Sequence, residues 1–212
     1  MPDSMFDRLR LAMVPLPSKS QAQAAPEKPL DLGKVRHAAV ALVVAPGPQG
    51  WSLLMMKRAD REGDPWSGHM SFPGGHVEPS DADHLHAAMR EASEEMGLKL
   101  KRQHCLGELS AVSSPRVKAG PKRRMVRAFV FALSEQPELT LNAEAASSHW
   151  FPMQQLLDGE GRGLFDFEWK GNKMKLPRID LQGQRIWGMS LGMLDELLDR
   201  IRRLNKDPEE HA

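Results

Sequence analysis

The chain has 212 residues, 41% of them hydrophobic, which suits one full domain with appended ends better than two domains. A formal charge of +1 gives no global argument for nucleic acid or an anionic membrane, so any anion recognition has to be local. The single Cys105 excludes an internal disulfide and a thiolate metal site, and a reducing, cytoplasmic setting is the simplest expectation. No apolar run approaches the roughly 20 residues that span a bilayer. The start Met1-Pro2-Asp3-Ser4 lacks the basic and apolar regions of a secretory signal, so a soluble protein inside the cell is expected.

In chain order, Phe6, Leu9, Leu11 and Met13 predict a short helix within residues 5–14, stopped by Pro15 and Pro17. Residues 18–29, rich in Gln, Ala, Pro and Lys, have a linker composition. Residues 1–34 therefore read as a helix and flexible linker, 35–204 as the folded domain, and 205–212 as a tail. Residues 35–44 are almost continuously apolar up to the breaker Pro46-Gly47-Pro48, and residues 51–57 read as the hairpin partner. A short strand over 69–72 stops at Pro73-Gly74-Gly75. Residues 83–97 are the clearest helix, with Leu85, Ala88, Met89, Ala92 and Met96 in one stripe and Gly97 as the stop. Strands are predicted over 105–112 and 125–133, joined by the loop 113–124. Trp150-Phe151-Pro152 leads from a strand into a short helix ending near Leu157. Residues 165–169 and 173–176 pair across Gly171-Asn172, and residues 189–204 form an amphipathic helix through Leu191, Leu194, Leu198 and Ile201. Strands interleaved with two substantial helices indicate a mixed α/β sandwich.

The chemistry is concentrated in residues 74–98. A helix turns about 100° per residue, so Glu91, Glu94 and Glu95 share one face. Three carboxylates that close repel one another unless a cation sits among them, and oxygen-seeking Mg²⁺ or Mn²⁺ is the natural partner. Taken alone, such a face is also what an ordinary solvated helix shows, partly paired by Arg90. The glycine turn Phe72-Pro73-Gly74-Gly75 upstream makes the combination much rarer, because glycines let backbone approach a ligand closely.

This segment resembles the Nudix box, G-x5-E-x7-R-E-U-x-E-E-x-G-U, where U is a bulky aliphatic residue. Gly75 matches its first Gly, and Arg90, Glu91, Glu94, Glu95, Gly97 and Leu98 match its second half, with the small Ala92 at a U position. Asp81 stands where the first Glu belongs, and eight residues instead of seven separate it from Arg90. The resemblance implies a Nudix-type α/β/α sandwich with a mixed sheet. It also implies a hydrolase that cuts a diphosphate bond with Mg²⁺ or Mn²⁺. Glu91 and Glu95 would be the main metal ligands, completed by the Gly75 carbonyl, with Glu94 a third ligand or a proton acceptor. Arg90 would orient the carboxylates. The general base is left between Glu94 and Glu144, since family members differ in that residue.

Upstream, Leu53-Leu54-Met55-Met56-Lys57-Arg58 and Trp66-Ser67-Gly68-His69-Met70-Ser71-Phe72-Pro73-Gly74-Gly75 are similar to a signature of coenzyme A diphosphatases. Arg58, Gly68 and Phe72 fit it, whereas Met55 replaces a Thr, Trp66 replaces a His, and the spacer is one residue longer. The implied substrate is coenzyme A or an acyl derivative, split into 4′-phosphopantetheine and adenosine 3′,5′-bisphosphate. Nucleoside diphosphate sugars are the alternative. Arg58, Trp66 and Phe72 are the expected substrate contacts. Arg116 and Arg123, in the basic loop, are further candidates for receiving a terminal phosphate. His84 and His86 read as helix-surface residues, and Trp51, Trp150, Trp169 and Trp187 as core or interface anchors. Residues 184–188 resemble the end of coenzyme A-type members, and the C-terminal hairpin and helix either pack on the domain or make a homodimer contact. A rival from another class is a non-catalytic Nudix-fold binder that senses a nucleotide. Retention of Glu91, Glu94 and Glu95 argues against it. Neither a membrane nor a nucleic-acid partner is expected.

Overall fold

Strand β1 (Arg36–Gly47) explains the long apolar run, because both of its faces are covered. Ala39, Ala41 and Val43 enter one core layer, and Leu42 and Val44 enter the other. The computed structural model describes residues 9–10, 13, 36–113, 124–169 and 171–206. β1 pairs antiparallel with β2 (Gly50–Arg58) and parallel with β7 (Arg124–Ala132), so the sheet is mixed. The main path runs β3-β2-β1-β7-β5, with β3 at Met70–Ser71 and β5 at Cys105–Glu108. Three strands join it off this path: β4 (Gly74–His76) on β1, β6 (Val112–Ser113) on β7, and β8 (Ala145–Pro152) on β2.

Helix α1 (His84–Met96) covers one face of this sheet through Leu85, Ala88, Ala92 and Met96. Asp83 caps it by accepting the His86 N–H, and Gly97 ends it in the left-handed conformation. The opposite face is covered by α2 (Met153–Asp158) and α3 (Gly188–Lys206), the latter through Leu191, Leu194, Leu198 and Ile201. Leu9 and Met13 are buried in that same layer, and Leu9 and Arg10 are helical. The rest of the expected N-terminal helix, the linker, the basic loop through residue 123 and the tail from residue 207 lie outside the described residues. The arrangement is an α/β/α sandwich.

Several elements differ from expectation. The strand expected over 105–112 is two short ones, each paired with β7 and separated by residues 109–111. The C-terminal hairpin has a third strand. β9 (Arg162–Trp169) and β10 (Asn172–Leu181) are joined by β11 (Gln184–Trp187), with β10 in the middle. Pro177 sits inside β10 because β11 pairs only with residues 178–181, leaving one flank of Pro177 outside the ladder.

Candidate active site

The glycine turn and helix α1 meet edge to edge. Gly74 has φ of +150°, and a Cβ there would stand 2.3 Å from the Ala39 carbonyl oxygen. A Cβ on Gly75 would lie 2.5 Å from Glu91 Oε1, so the bare backbone is what lets this carboxylate reach the turn. The Gly74 N–H donates to Glu95 Oε2 at 2.8 Å. The turn is thereby tied to two of the three glutamates.

Glu95 was expected on the open face with Glu91 and Glu94, yet it is only 3% exposed. Burial pushes its carboxyl up to about 8 against the pull of the Gly74 N–H, and the charges of Glu91 and Glu144 push the same way. Glu91 is also raised by burial, with the Arg90 guanidinium opposing. Glu94 is more exposed and accepts from Arg90 Nη1 at 3.1 Å.

Arg90 is the hub of a second group. Its Nε and Nη2 each donate to Asp81 at 3.0 Å, and Nη2 also donates to the His76 carbonyl at 2.9 Å. Nη1 lies 3.1 Å from Glu91 Oε1. Asp81, 1% exposed, additionally accepts the Glu78 N–H at 2.8 Å and pairs with His86 Nδ1 at 2.9 Å. Burial works to raise the Asp81 pKa, but Arg90, the Glu78 N–H and His86 together hold it below the ordinary carboxylate range. The hydrogen bonds to Asp81 push Arg90 further up.

Glu144 sits on a loop fixed from both sides. The Ala59 N–H donates to the Glu144 carbonyl at 2.7 Å, and the Asn142 N–H donates to the Glu95 carbonyl at 2.9 Å. Its carboxylate accepts from Arg61 Nη2 at 2.9 Å, and its charge reaches both Glu91 and Glu95. Arg58 pairs with Asp64 at 2.7 Å, and its buried Nε has no hydrogen-bond partner among the described residues. Asp64 also accepts the Trp66 N–H, and Ser67 both accepts from the Arg61 N–H and donates to the Arg61 carbonyl. These bonds staple residues 58–68 into a rigid loop beside the glutamates.

The structure thus brings Gly75, Arg90, Glu91, Glu94, Glu95 and Glu144 together and places Arg58 and Trp66 on the adjoining loop. Phe72 differs from expectation: it is 2% exposed in the core layer under α3, where it anchors the turn and has no surface to offer a ligand. Arg116 and Arg123 lie outside the described residues. His84 is not a plain surface residue, since its Nε2 lies 3.0 Å from His37 Nδ1 and burial lowers its pKa. His86 is exposed on the helix surface, as expected, and also pairs with Asp81. Arg61 and His37 were not anticipated, because their partners Glu144 and His84 lie far away in sequence, and Asp64 was missed although its partners Arg58 and Trp66 are local. A cavity of 660 Å³ beyond Gly97, lined in part by Leu98, Leu133 and Pro137, contains none of the site glutamates.

The donor set of Glu91, Glu94, Glu95 and a backbone carbonyl is all oxygen, which fits Mg²⁺ or Mn²⁺. Two of these carboxyls are raised by burial and mutual repulsion, the condition that a divalent cation relieves. Among the described residues, no three such side chains converge tightly enough to hold an ion as they stand. Glu94 is turned to Arg90 and Glu144 to Arg61, and both are exposed enough to swing.

The Nudix domain family matches residues 35–167. A human mitochondrial coenzyme A diphosphatase, NUDT8, is 31% identical over 140 residues, which is 66% of this chain and 58% of the human protein. A Nudix hydrolase NudL of Photorhabdus laumondii is 27% identical over 168 residues, 79% of this chain and 86% of that one. Across three curated relatives the chain spans from 33% to 86% of their length. Among solved structures, a MutT/nudix family protein from Enterococcus faecalis aligns with a TM-score of 0.54 at 13% identity, covering 98% of this chain and 77% of that one. This last likeness concerns the fold alone.

Proposed function

The chain belongs to the Nudix hydrolase family, and from that premise we propose that it hydrolyses the diphosphate link of coenzyme A or an acyl-coenzyme A. The products from coenzyme A are 4′-phosphopantetheine and adenosine 3′,5′-bisphosphate. The observation that carries the hydrolytic reading is Glu95. A carboxylate 3% exposed, with Gly74 N–H as its hydrogen-bond donor and other glutamates around it, is poised for a cation. The choice of coenzyme A is supported by the segment from Leu53 to Gly75 and by the named activity of the human relative.

In this reading Glu91, Glu95 and the Gly75 carbonyl would hold the metal. Bound Mg²⁺ or Mn²⁺ would neutralise the diphosphate and lower the pKa of the attacking water. Arg90 keeps Glu91 in place by standing between it and Asp81. Glu94 or Glu144 takes the proton from water, each after leaving its arginine. Arg58, whose guanidinium is part-exposed beside Asp64, is proposed to meet substrate anions, and Trp66 offers an exposed indole. Arg116 and Arg123 remain in the proposal as the receivers of a terminal phosphate. Residues 35–204 are taken as the working unit, acting in a reducing, cytoplasmic compartment. No helix among the described residues is long and apolar enough to cross a membrane.

The test is product identification by chromatography after incubation with coenzyme A, nucleotide sugars and dinucleotides, with Mg²⁺ or Mn²⁺. The expected result is phosphopantetheine and adenosine 3′,5′-bisphosphate, absent with Glu95→Gln. Cleavage of other diphosphates only would keep the hydrolase and discard coenzyme A. Tight nucleotide binding without turnover would favour the non-catalytic binder.

A further inference from the structure

The C-terminal ribbon carries a row of rings that the hydrolytic reading leaves unused. Phe165, Phe167 and Trp169 alternate onto one face of β9, where Met174 of β10 lies opposite Phe167. Successive ring centroids in this row are 6.1 and 6.3 Å apart. Trp187 of β11 closes the inner end, at 5.2 Å from Phe165 and 5.0 Å from Phe167. Asp166, Glu168, Lys173 and Lys175 alternate onto the opposite face. On the ring face, charge is confined to the inner end, where Arg185 lies over Phe165 at 5.0 Å and pairs with Asp180, and the outer members Phe167, Trp169 and Met174 carry none.

The row begins at the candidate active site. Trp187 is 4.9 Å from His69 and 6.2 Å from Trp66, which belongs to the stapled loop whose Arg61 bonds Glu144. From there it runs outward to members left open to solvent, Trp169 at 39% and Met174 at 41%, with Trp66 at 45% at the inner end. Apolar side chains on a surface are common singly, but here they are contiguous and lead away from the chemistry.

We infer that this face is a subsite for an extended, uncharged, mostly apolar chain carried on the substrate, on the side of the diphosphate away from the nucleoside. Length selects this occupant. A nucleobase covers one ring, whereas the row from Phe165 to Trp169 spans about 13 Å at the rise of a strand. The inference rests on the coenzyme A reading, in which the chain is the acyl group beyond the pantetheine arm. It assigns the C-terminal ribbon a part in substrate selection, with Trp66 and Trp187 joining it to the site.

The test follows tryptophan fluorescence of the full chain, without metal, during titration with decanoyl-pantetheine and with pantetheine. Trp66, Trp169 and Trp187 lie in or beside the row and report its occupancy directly. Saturable binding of the decanoyl compound, at least about tenfold tighter than pantetheine, is expected. Met174→Asp and Phe167→Ser should each remove that preference while retaining the circular dichroism of the parent; Met174 is exposed, so its change leaves the core intact. Equal binding of the two compounds, or a preference unchanged in both variants, would overturn the subsite. So would sedimentation showing a dimer that Met174→Asp dissociates, since the face then belongs to a second copy. Decanoyl-pantetheine binding with no hydrolysis of any coenzyme A derivative would keep the subsite and remove the coenzyme A reading. Hydrolysis of coenzyme A with no chain preference would do the reverse.

Discussion

Asp81 and Glu95 are both buried carboxylates beside helix α1, yet their surroundings are opposite. Asp81 is met by Arg90 twice, by the Glu78 N–H and by His86, and its charge is held firmly. Glu95 accepts the Gly74 N–H and faces the charges of Glu91 and Glu144. A buried charge is tolerated when paired and hydrogen-bonded, and it raises its pKa when it is not. Asp81 therefore builds the frame that holds Arg90, and Glu95 is left with a deficit that a cation can fill. The acidic residue at the first acidic position of the Nudix box anchors Arg90, and the later glutamates are the proposed reactive group.

Substituting each in turn separates the two roles. The largest expected effect is on turnover: Glu95→Gln should lower kcat on the order of 10³-fold, read by phosphate-product release, with the folded signal intact. Asp81→Asn should act on stability instead. It leaves Arg90 largely buried without its main partner, and denaturant titration should show a loss of about 3 kcal/mol.

The two sites should also respond to pH with opposite sign. The Asp81 pKa is depressed, so its contribution is fully present above the unfolded value of about 4 and is lost as pH falls through the folded value. Thermal melts should accordingly show a steeper acid limb in the parent than in Asp81→Asn. The Glu95 pKa is raised to about 8, so in metal-free protein it costs stability as pH climbs from the ordinary glutamate value toward 8. Glu95→Gln should then melt higher than the parent at alkaline pH and converge with it in acid. An alkaline advantage absent from the variant would show that Glu95 is better compensated than its surroundings indicate. The smallest effect is expected at Arg61→Ala. Its pair with Glu144 is exposed on both sides, and its removal should change stability by less than about 1 kcal/mol in urea.

The grouping of glutamates on α1 was open to sequence reasoning, and the Asp81 group with Arg90 and His86 was not. The helix stripe, the glycine stop and the hairpins are periodic or local signals, and residues 84–96, β2 and the β9–β10 turn follow them. Helical spacing places Glu91, Glu94 and Glu95 on neighbouring positions of α1. It could not show that Glu95 turns inward, because that depends on Gly74 arriving from another strand. Pro177 concealed the length of β10, since its effect depends on where β11 ends. The Arg61–Glu144 pair, 83 residues apart, and the contact of Trp187 with Trp66 exist only once the sheets are assembled. Phe72 was grouped with the substrate contacts because it belongs to the glycine-turn motif; its burial shows that the motif position serves packing.

The buried, undercompensated Glu95 carboxylate is the proposed cation site. Mn²⁺ binding to the full chain, counted by electron paramagnetic resonance in the parent and in Glu95→Gln at the same pH, tests it directly. A bound Mn²⁺ is expected in the parent and an affinity weaker on the order of 100-fold in the variant, with both proteins equally folded. Equal Mn²⁺ affinity in the two proteins would contradict it.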